Sequence, residues 1–555
     1  GLSLGADQTF DGGPGVLKIA GNITNTAASG TQTFSLASKG SMSDSIGSLG
    51  GSILFSTLPN ADWSLLDNPS NVAMTIPAAL NIVGGGAWTF GSSNSAPDVT
   101  FSSTANNVIG DATGTSVMNM IGGSLTIPTR LNVGNGTAEA ILNMSGGTLT
   151  VQDRVQVADN NVATVGTINM SGGTLDDTGP FYLTSRGTGT LNMNGGTVIG
   201  SYMELARDLS GQTPHGTINL NGGIISVGRI QSSSSVSGSS ANLNFNGGTL
   251  QASGDNATFL NVNTTTPLMA VVTTNGAVID SDGHAITIPV AMQHDGSMGS
   301  APDGGLLKIG AGTLTLSAAN TYTGPTVVSN GTLEVDGSLA ASVVTVDDGA
   351  VLTGTGSVGA SVAVDTGGSI APGGSGTIGT FTATGDIALN GTTIVEINKS
   401  VGTNDLLTTS GGITYGGTLN VSNLGGTLAD GDSFQLFTAA SYSGSFNNIN
   451  PAVPGAGLVW DTSMLTNNGT LQVATGGVNT NPTNITATVA GNVLTLMWPS
   501  DHTGWYLQIQ TNNLAAGVSA NTNDWMTIPG SDATNQTDII IDPTQPAEFY
   551  RLVYP

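Results

Sequence analysis

The stretch "GTINMSGGTL", residues 166–175, recurs along the first half of the chain at a nearly constant period. Its copies read "MNMIGGSL" (118–125), "LNMSGGTL" (142–149), "INMSGGTL" (168–175), "LNMNGGTV" (191–198), "INLNGGII" (218–225) and "LNFNGGTL" (243–250). The first glycines of successive copies lie 24, 26, 23, 27 and 25 residues apart. A repeat of this length is one supersecondary unit, which buries its apolar face by stacking on its neighbours.

Apolar and polar residues alternate within each copy. Leu142 and Met144, for example, alternate with Asn143 and Ser145. A period of two predicts a β-strand with one buried face. The Gly-Gly pair that follows is predicted to end this strand, because glycine adopts positive φ without a Cβ clash. Each unit is therefore predicted to hold two or three short strands joined by tight turns, with no helix.

Parallel, in-register stacking of such units predicts a β-solenoid, in which equivalent residues of successive coils lie about 4.8 Å apart. Outward-pointing asparagines would then form a ladder whose side-chain amides bond to one another along the axis. The predicted ladder residues are Asn119, Asn143, Asn169, Asn192, Asn219 and Asn244. On the other face of the same strand, the predicted interior column is Met120, Met144, Met170, Met193, Leu220 and Phe245.

The composition agrees with many short strands and turns, since 82 of 555 residues are glycine and only 8% are charged. The formal net charge of −26 disfavours binding to nucleic acid or anionic lipid, although it is compatible with weakly held surface calcium. The absence of cysteine excludes disulfides and cysteine-based metal or redox sites. The sequence has no apolar run of 18 residues, so no membrane-spanning helix is expected.

Residues 304–335 read "GGLLKIGAGTLTLSAANTYTGPTVVSNGTLEV". This segment closely resembles the passenger-associated β-strand repeat of bacterial autotransporter-type surface proteins. The residues that carry the resemblance are Gly310, Gly312, Thr313, Leu314, Leu316, Asn320, Thr321, Tyr322, Thr323, Gly324, Gly331, Thr332 and Leu333. The resemblance implies a right-handed parallel β-helix that is exported to the bacterial cell surface or extracellular space as a stalk, adhesin or scaffold.

Two expectations about export follow. The first residue is Gly1 rather than methionine, so we expect a mature chain whose signal peptide has been removed. The residues after the linker-like segment "TGGVNTNPTN" (475–484) are too few for the C-terminal translocator barrel of an autotransporter. We therefore expect another machine to export and attach the chain.

Five segments are predicted. Residues 1–115 form the start of the solenoid or a cap with an inserted loop, and residues 116–255 form solenoid with Asn-x-x-Gly-Gly repeats. Residues 256–475 form solenoid with passenger-associated repeats, and residues 476–484 form a linker. Residues 485–555, with three of the six tryptophans, are predicted to form a small antiparallel β-sandwich of fibronectin or immunoglobulin style.

This C-terminal module resembles the terminal module of large exported repeat proteins of environmental Gram-negative bacteria. The resemblance implies a role in sorting, capping or docking, and it offers no catalytic residues.

The sequence offers few candidates for chemistry. Asp176 and Asp177, with Arg154 and Arg186 near them in sequence, are the best candidates for a polysaccharide lyase or glycosidase site on a β-helix. The four histidines, which match no zinc motif, are His215, His284, His294 and His502. We therefore predict no catalytic, cofactor-binding or metal-binding residue, and we expect that the protein is not an enzyme.

A basic series lies near one turn of the repeats. Arg130 and Arg154 both follow the first glycine of their repeat by eight residues, and Arg207 and Arg229 fall near the same turn. These arginines either form surface ion pairs or line a groove for an acidic polymer or a contact strip for another subunit. The candidate acidic partners on neighbouring coils are Asp153, Glu204 and Asp208.

The open ends of a solenoid invite pairing with another chain. We therefore predict an extracellular structural protein, the subunit of a surface fibre or surface layer that assembles head to tail with copies of itself. The alternative is a monomeric adhesin or stalk that binds cell-surface polysaccharide. The candidate assembly or glycan contacts are Leu2, Leu4 and Phe10 at one end and Trp505, Tyr506, Trp525, Tyr550 and Tyr554 at the other.

Overall fold

The computed structural model describes most residues of the chain, but not all of them. Within residues 1–79 it describes only the backbone of the strands, so the side chains of Leu2, Leu4 and Phe10 lie outside the described part. From residue 80 to 554 it describes all residues except 83–84, 92–97, 103, 111–113, 208–210, 262, 477–479 and 545–546. The chain divides into two compact units, Gly1–Leu352 with Gly356–Ser361 and Thr353–Thr355 with Val362–Pro555.

The first unit consists almost entirely of β-strands. Before the repeats, the strands are Leu2–Leu4, Gln8–Asp11, Leu17–Ile19, Ile23–Asn25, Gln32–Ala37, Lys39–Ser43, Leu49–Gly50, Ile53–Thr57, Asp62–Asp67, Met74–Ile76, Leu80–Ile82, Ala87–Phe90, Asp98–Phe101 and Asn107–Ile109. In the Asn-x-x-Gly-Gly repeats they are Ser116–Ile127, Leu131–Val133, Glu139–Val151, Val155–Val157, Val165–Tyr182, Thr188–Glu204, His215–Val227, Ile230–Gln231, Ser240–Phe245 and Thr249–Ala252. After the repeats they are Leu268–Val272, Ala277–Asp280, Ala285–Ile288, Met292–His294, Leu306–Ile309, Thr313–Leu316, Ala319–Asn320, Thr326–Val328, Thr332–Val335, Ser338–Leu339, Val344–Val346, Val351–Gly354 and Ser357–Val358, with a 3-10 turn at Gly296–Met298.

Successive coils of the first unit pair in parallel and in register. Asn143, for example, pairs with Asn119 on the preceding coil and with Asn169 on the following coil. The apolar side of the same strands forms the core, where Met144 and Met170 are at most 1% exposed and Phe245 is fully buried. The predicted parallel β-solenoid is thereby confirmed.

In five of the six copies the Gly-Gly pair does not end the strand, contrary to the sequence prediction, whereas at Gly247 and Gly248 one strand ends at Phe245 and the next begins at Thr249. Glu139–Val151 runs through Gly146 and Gly147 as one strand, and its register with the preceding coil shifts at the pair. Gly147 has φ +78°, and a Cβ on Gly146 would lie 2.6 Å from the carbonyl oxygen of Ile121 on the preceding coil. The pair therefore forms a bulge at which the backbones of neighbouring coils approach too closely for any side chain.

The coils become shorter in the passenger-associated repeat. Thr326 pairs with Leu306 before it and with Val344 after it, so these coils hold 20 and 18 residues. Each coil contributes one strand to each of three faces, since Thr313–Leu316 pairs with Thr332–Val335 and Ala319–Asn320 pairs with Ser338–Leu339.

The second unit continues with parallel coils and ends in antiparallel sheets. Its strands are Val362–Val364, Ser369–Pro372, Thr380–Ala383, Ile387–Leu389, Thr392–Asn398, Thr403–Asn404, Leu406–Thr409, Gly412–Tyr415, Thr418–Asn423, Ser433–Gln435, Phe437–Thr438, Ser441–Gly444, Asn448–Asn450, Leu458–Asp461, Thr470–Thr475, Thr486–Ala490, Val493–Met497, Tyr506–Thr511, Met526–Thr527, Gln536–Ile540 and Glu548–Val553. It also holds the helix Leu465–Asn468 and 3-10 turns at Ser500–His502, Thr522–Asp524 and Ser531–Ala533. Among the described residues, no helix is long and apolar enough to cross a membrane.

The C-terminal module is a pair of three-stranded antiparallel sheets. Val493–Met497 is the central strand of one sheet, and Tyr506–Thr511 is the central strand of the other. Leu496 and Trp498 from the first sheet pack with Leu507 from the second in a shared core. The predicted small antiparallel module is thereby confirmed, whereas the exact boundaries of the five predicted segments remain a prediction.

Candidate functional site

The predicted asparagines form a continuous hydrogen-bonded ladder. The Nδ2 group of Asn143 donates to Oδ1 of Asn119 at 2.9 Å, and Asn169 donates to Asn143 at 2.8 Å. Each of the next three bonds also measures 2.8 Å, and the donors are Asn192, Asn219 and Asn244. In-register stacking produces this pattern, because it brings each amide directly above the same amide of the previous coil.

A second ladder lies beside the first and was not predicted from the sequence. Asn221 donates to Asn194 at 3.0 Å, Asn246 donates to Asn221 at 3.0 Å, and Asn275 donates to Asn246 at 3.1 Å. A signal for it is present in the repeats, because the residue before the glycines changes from serine in "NMSGG" to asparagine in "NMNGG", "NLNGG" and "NFNGG".

The passenger-associated repeat is organised around a buried carboxylate, Asp303. Its oxygens accept hydrogen bonds from the backbone amides of Gly305, Thr323 and Gly324 at 2.8–2.9 Å and from Nδ1 of His294 at 2.8 Å. Burial opposes ionisation of Asp303, but the hydrogen bonds from His294 and from the backbone hold the pKa of Asp303 below its usual value. The bond to Asp303 in turn raises the pKa of His294.

A buried lysine holds the next part of this repeat. Lys308 is fully buried, and its Nζ group donates to the carbonyl oxygens of Ile309 and Gly310 at 2.8 Å and of Asn330 at 3.1 Å. Burial lowers the pKa of Lys308 to about 8. The roles of Asp303 and Lys308 were not predicted from the sequence, because stacking of the coils supplies the remaining partners, Thr323 and Gly324 for Asp303 and Asn330 for Lys308.

The candidate residues for a lyase or glycosidase site, Asp176 and Asp177 with Arg154 and Arg186, have separate surroundings. Asp177 is buried and accepts from the backbone amides of Val155 at 2.9 Å and Gly179 at 3.1 Å, and burial raises the pKa of Asp177 to about 6. Asp176 occupies the alternate strand position, so the two carboxylates point to opposite faces. Arg186 donates instead to the backbone carbonyl of Asp159.

Each histidine has its own separate partner. His215 lies against Ser240, His284 against Asp255, His294 against Asp303 and His502 against Asp501. Within the described residues, no group of three or more histidines and acidic residues could hold a metal ion.

The arginines of the basic series contact polar and aromatic side chains more than acidic ones. Arg154 pairs with Asp153 of its own coil at 3.5 Å, and Nη1 of Arg130 donates to Gln156 at 3.0 Å. The guanidinium of Arg207 lies 4.2 Å from the ring centroid of Tyr182, and that of Arg229 lies 5.0 Å from the ring centroid of Tyr202. Glu204 accepts a hydrogen bond from Ser233, and Asp208 lies outside the described residues.

Two of the five aromatic residues proposed as contacts in the C-terminal module are buried inside it. Trp505 is 6% exposed and packs against His502 and Tyr554, and Trp525 is 8% exposed beneath the Arg551 guanidinium. These two tryptophans are therefore buried residues of the module. Tyr506 and Tyr550 are half-buried, and Tyr554 is 44% exposed.

Comparison with known proteins identifies the repeat. Residues 306–335 match the passenger-associated-transport-repeat family. Over 162 residues, 27% of the chain, the sequence is 35% identical to part of an extracellular serine protease of Serratia marcescens. Over 153 residues, 26% of the chain, it is 30% identical to part of the adhesin BmaC autotransporter of Brucella suis biovar 1 (strain 1330).

The chain spans only 15% of the length of the serine protease and 4% of the length of the adhesin. The predicted resemblance to autotransporter-type surface proteins is confirmed at the level of the repeat. The protein is therefore an exported protein of the cell surface or extracellular space that carries a passenger-associated-transport repeat in a parallel β-solenoid.

Proposed function

We propose that this protein is a non-enzymatic structural scaffold of the cell surface, in which the solenoid acts as a stalk. The observation that carries the proposal is the asparagine ladder, whose five amide bonds of 2.8–2.9 Å join six successive coils. Hydrogen bonds that link each coil to the next favour a stiff, uninterrupted stack. A stalk needs this stiffness, and it does not need a cleft for a substrate.

Three residues with perturbed pKa values support the same proposal. Asp177, Asp303 and Lys308 all use their polar atoms to bind backbone groups of the solenoid. Residues with perturbed pKa values are typical of an active site when they lie in a cleft and can bond to a substrate.

Labelling of the purified chain with a fluorophosphonate probe tests the similarity to a serine protease. We expect no labelled serine and no cleavage of casein. Stoichiometric labelling would contradict a non-enzymatic scaffold.

We propose that the scaffold acts as a single chain rather than as a filament subunit. The backbone amides of Leu436 and Phe437, near the last parallel coil, donate to the carbonyl oxygen of Gly469 at 3.1 Å. The hydroxyl group of Tyr415 donates to the carbonyl oxygen of Leu465 at 3.0 Å. The segment 465–475 thus covers strands that a second chain would need in order to extend the solenoid.

Sedimentation velocity and electron microscopy of the purified chain, with and without millimolar calcium, test this point. We expect one monomeric species in both conditions. Filaments, in either condition, would contradict the proposal and would establish head-to-tail assembly instead. Protease treatment of intact source cells should release fragments of the chain if it is displayed at the surface.

A further inference from the structure

A strip of polar side chains runs across successive coils of the first unit. In-register pairing places Asn132, Gln156, Tyr182, Glu204 and Gln231 in one column over five coils. We call this column, with the arginines beside it, the polar strip. The column residues alternate with buried residues such as Leu131 and Val133, so they point away from the core.

The strip residues are covered although they point outward. Asn132, Gln156, Tyr182 and Glu204 are only 2–7% exposed. Their neighbours two positions earlier in the chain include Arg130, Arg154, Tyr202 and Arg229. Long side chains cover part of the column, since Arg130 donates to Gln156 and the Arg207 guanidinium lies over Tyr182.

The strip concentrates the positive charge of a strongly acidic chain. Five of the six arginines in the sequence, Arg130, Arg154, Arg186, Arg207 and Arg229, lie between residues 129 and 234. Arg130 and Arg207 contact the column directly, at Gln156 and Tyr182. Planar guanidinium groups lie over Tyr182 and Tyr202, and the two tyrosine hydroxyls are 3.1 Å apart. Arg551 is the only other arginine in the sequence, whose formal net charge is −26.

Two buried polar atoms of the strip have no hydrogen-bond partner among the described residues. They are Nε of Arg130 and Oδ1 of Asn132. Asn132 is 3% exposed. Buried polar groups are nearly always hydrogen-bonded, so this unpaired donor and acceptor on one coil point to a ligand.

We propose that the polar strip binds a polysaccharide chain that lies along successive coils. A sugar hydroxyl both donates and accepts, so it can satisfy Nε of Arg130 and Oδ1 of Asn132 alike. A simple anion could satisfy only the donors. The strip repeats about every 4.8 Å, which is close to the advance of one sugar residue along an extended glycan. The strip can thus present equivalent groups to successive sugars.

Affinity electrophoresis of the full-length chain tests this proposal, with soluble glucan, mannan, galactan and polyuronate as separate probes. We expect at least one probe to retard the chain. The double variant Arg207→Ala/Arg229→Ala should weaken that binding at least tenfold, and Asn132→Leu should weaken it as well. Salt should leave binding of a neutral probe unchanged and should weaken binding of the polyuronate, which separates the two sources of sugar hydroxyls.

Arg551→Ala is the matched control, because Arg551 also lies 4.2 Å from an aromatic ring centroid, that of Trp525, but outside the strip. It should bind like the wild type. Equal weakening by Arg551→Ala, or failure of all four probes to bind, would overturn the proposal.

Hydrogen exchange of the wild-type chain with the bound probe provides a test that requires no variant. The probe should slow exchange of backbone amides in 129–135, 153–159 and 201–207. Protection confined to other parts of the chain would overturn the assignment of the site.

Discussion

The Asn-x-x-Gly-Gly repeats and the passenger-associated repeat stack their coils in parallel but join them by different bonds. In the first region, side chains bond to side chains on the outer face, as in the bond from Asn169 to Asn143. In the second, buried side chains bond to backbone groups, as Asp303 and Lys308 do. The longer coils also turn at glycine bulges, whereas the coils of 18 and 20 residues present one short strand to each of three faces.

This difference predicts where the solenoid is vulnerable. An exterior side-chain amide that loses its hydrogen-bond partner can bond to water, so the free energy of unfolding falls only modestly. A buried backbone amide or carbonyl that loses a charged partner finds no other hydrogen-bond partner, so the free energy of unfolding falls more. Substitutions in the passenger-associated repeat should therefore destabilise the first unit more than substitutions in the ladder.

The largest effect is expected from Asp303→Ala. The substitution leaves the backbone amides of Gly305, Thr323 and Gly324 without their acceptor. The free energy of unfolding should fall by about 3–5 kcal/mol, measured by urea denaturation. Asp348→Ala, at an exposed carboxylate of a later coil, is the control and should change it by less than about 0.5 kcal/mol. Equal effects of the two substitutions would contradict a buried hub.

Lys308→Met should have the next largest effect. The methionine fills a similar volume but donates nothing to the carbonyl oxygens of Ile309, Gly310 and Asn330. We expect the free energy of unfolding to fall by about 2–4 kcal/mol, again from urea denaturation. Val343→Ala, at a 48% exposed position of the next coil, serves as the control. An unchanged midpoint for Lys308→Met would show that the three carbonyls do not need the ammonium group.

Asn169→Ala, in the middle of the ladder, should have a smaller effect. It removes two amide bonds of 2.8 Å, to Asn143 and from Asn192. The expected decrease is about 1–2 kcal/mol. Asn221→Ala breaks two bonds of the more exposed second ladder and should cost less than about 1 kcal/mol. A larger effect at Asn221 than at Asn169 would reverse the ranking that exposure predicts.

The smallest effect should come from the Asp303–His294 pair, and it should appear only as a change of stability with pH. The pKa of Asp303 is lowered in the folded state, so its contribution is present above the unfolded pKa and is lost as pH falls through the folded pKa. The pKa of His294 is raised, so its contribution is present below the unfolded value of 6.5 and is lost as pH rises through the folded pKa. Thermal unfolding of His294→Gln across pH 5–9 should lack the alkaline decrease that the wild type shows. An identical alkaline limb in the variant would contradict the pairing.

The sequence predicted the solenoid because period and alternation are local signals that every coil repeats. The same signals placed Asn143 and Met144 on opposite faces of one strand. The strand through Gly146 and Gly147 was not predicted, because glycine pairs locally favour a turn and only pairing with both neighbouring coils keeps the strand continuous. The buried positions of Lys308 and Trp505 were also not predicted, since one partner of each, Asn330 and Tyr554, lies in a distant part of the chain.

Native-state hydrogen exchange of the full-length chain tests the central claim most directly, with the wild type and Asn169→Ala compared. If bonds between coils hold the scaffold together, the amides of strands 139–151, 165–182 and 188–204 should exchange slowly in the wild type. In Asn169→Ala, all three strands should exchange faster together, because each coil depends on its neighbours. Faster exchange confined to the substituted coil, with unchanged protection on both sides, would contradict the claim.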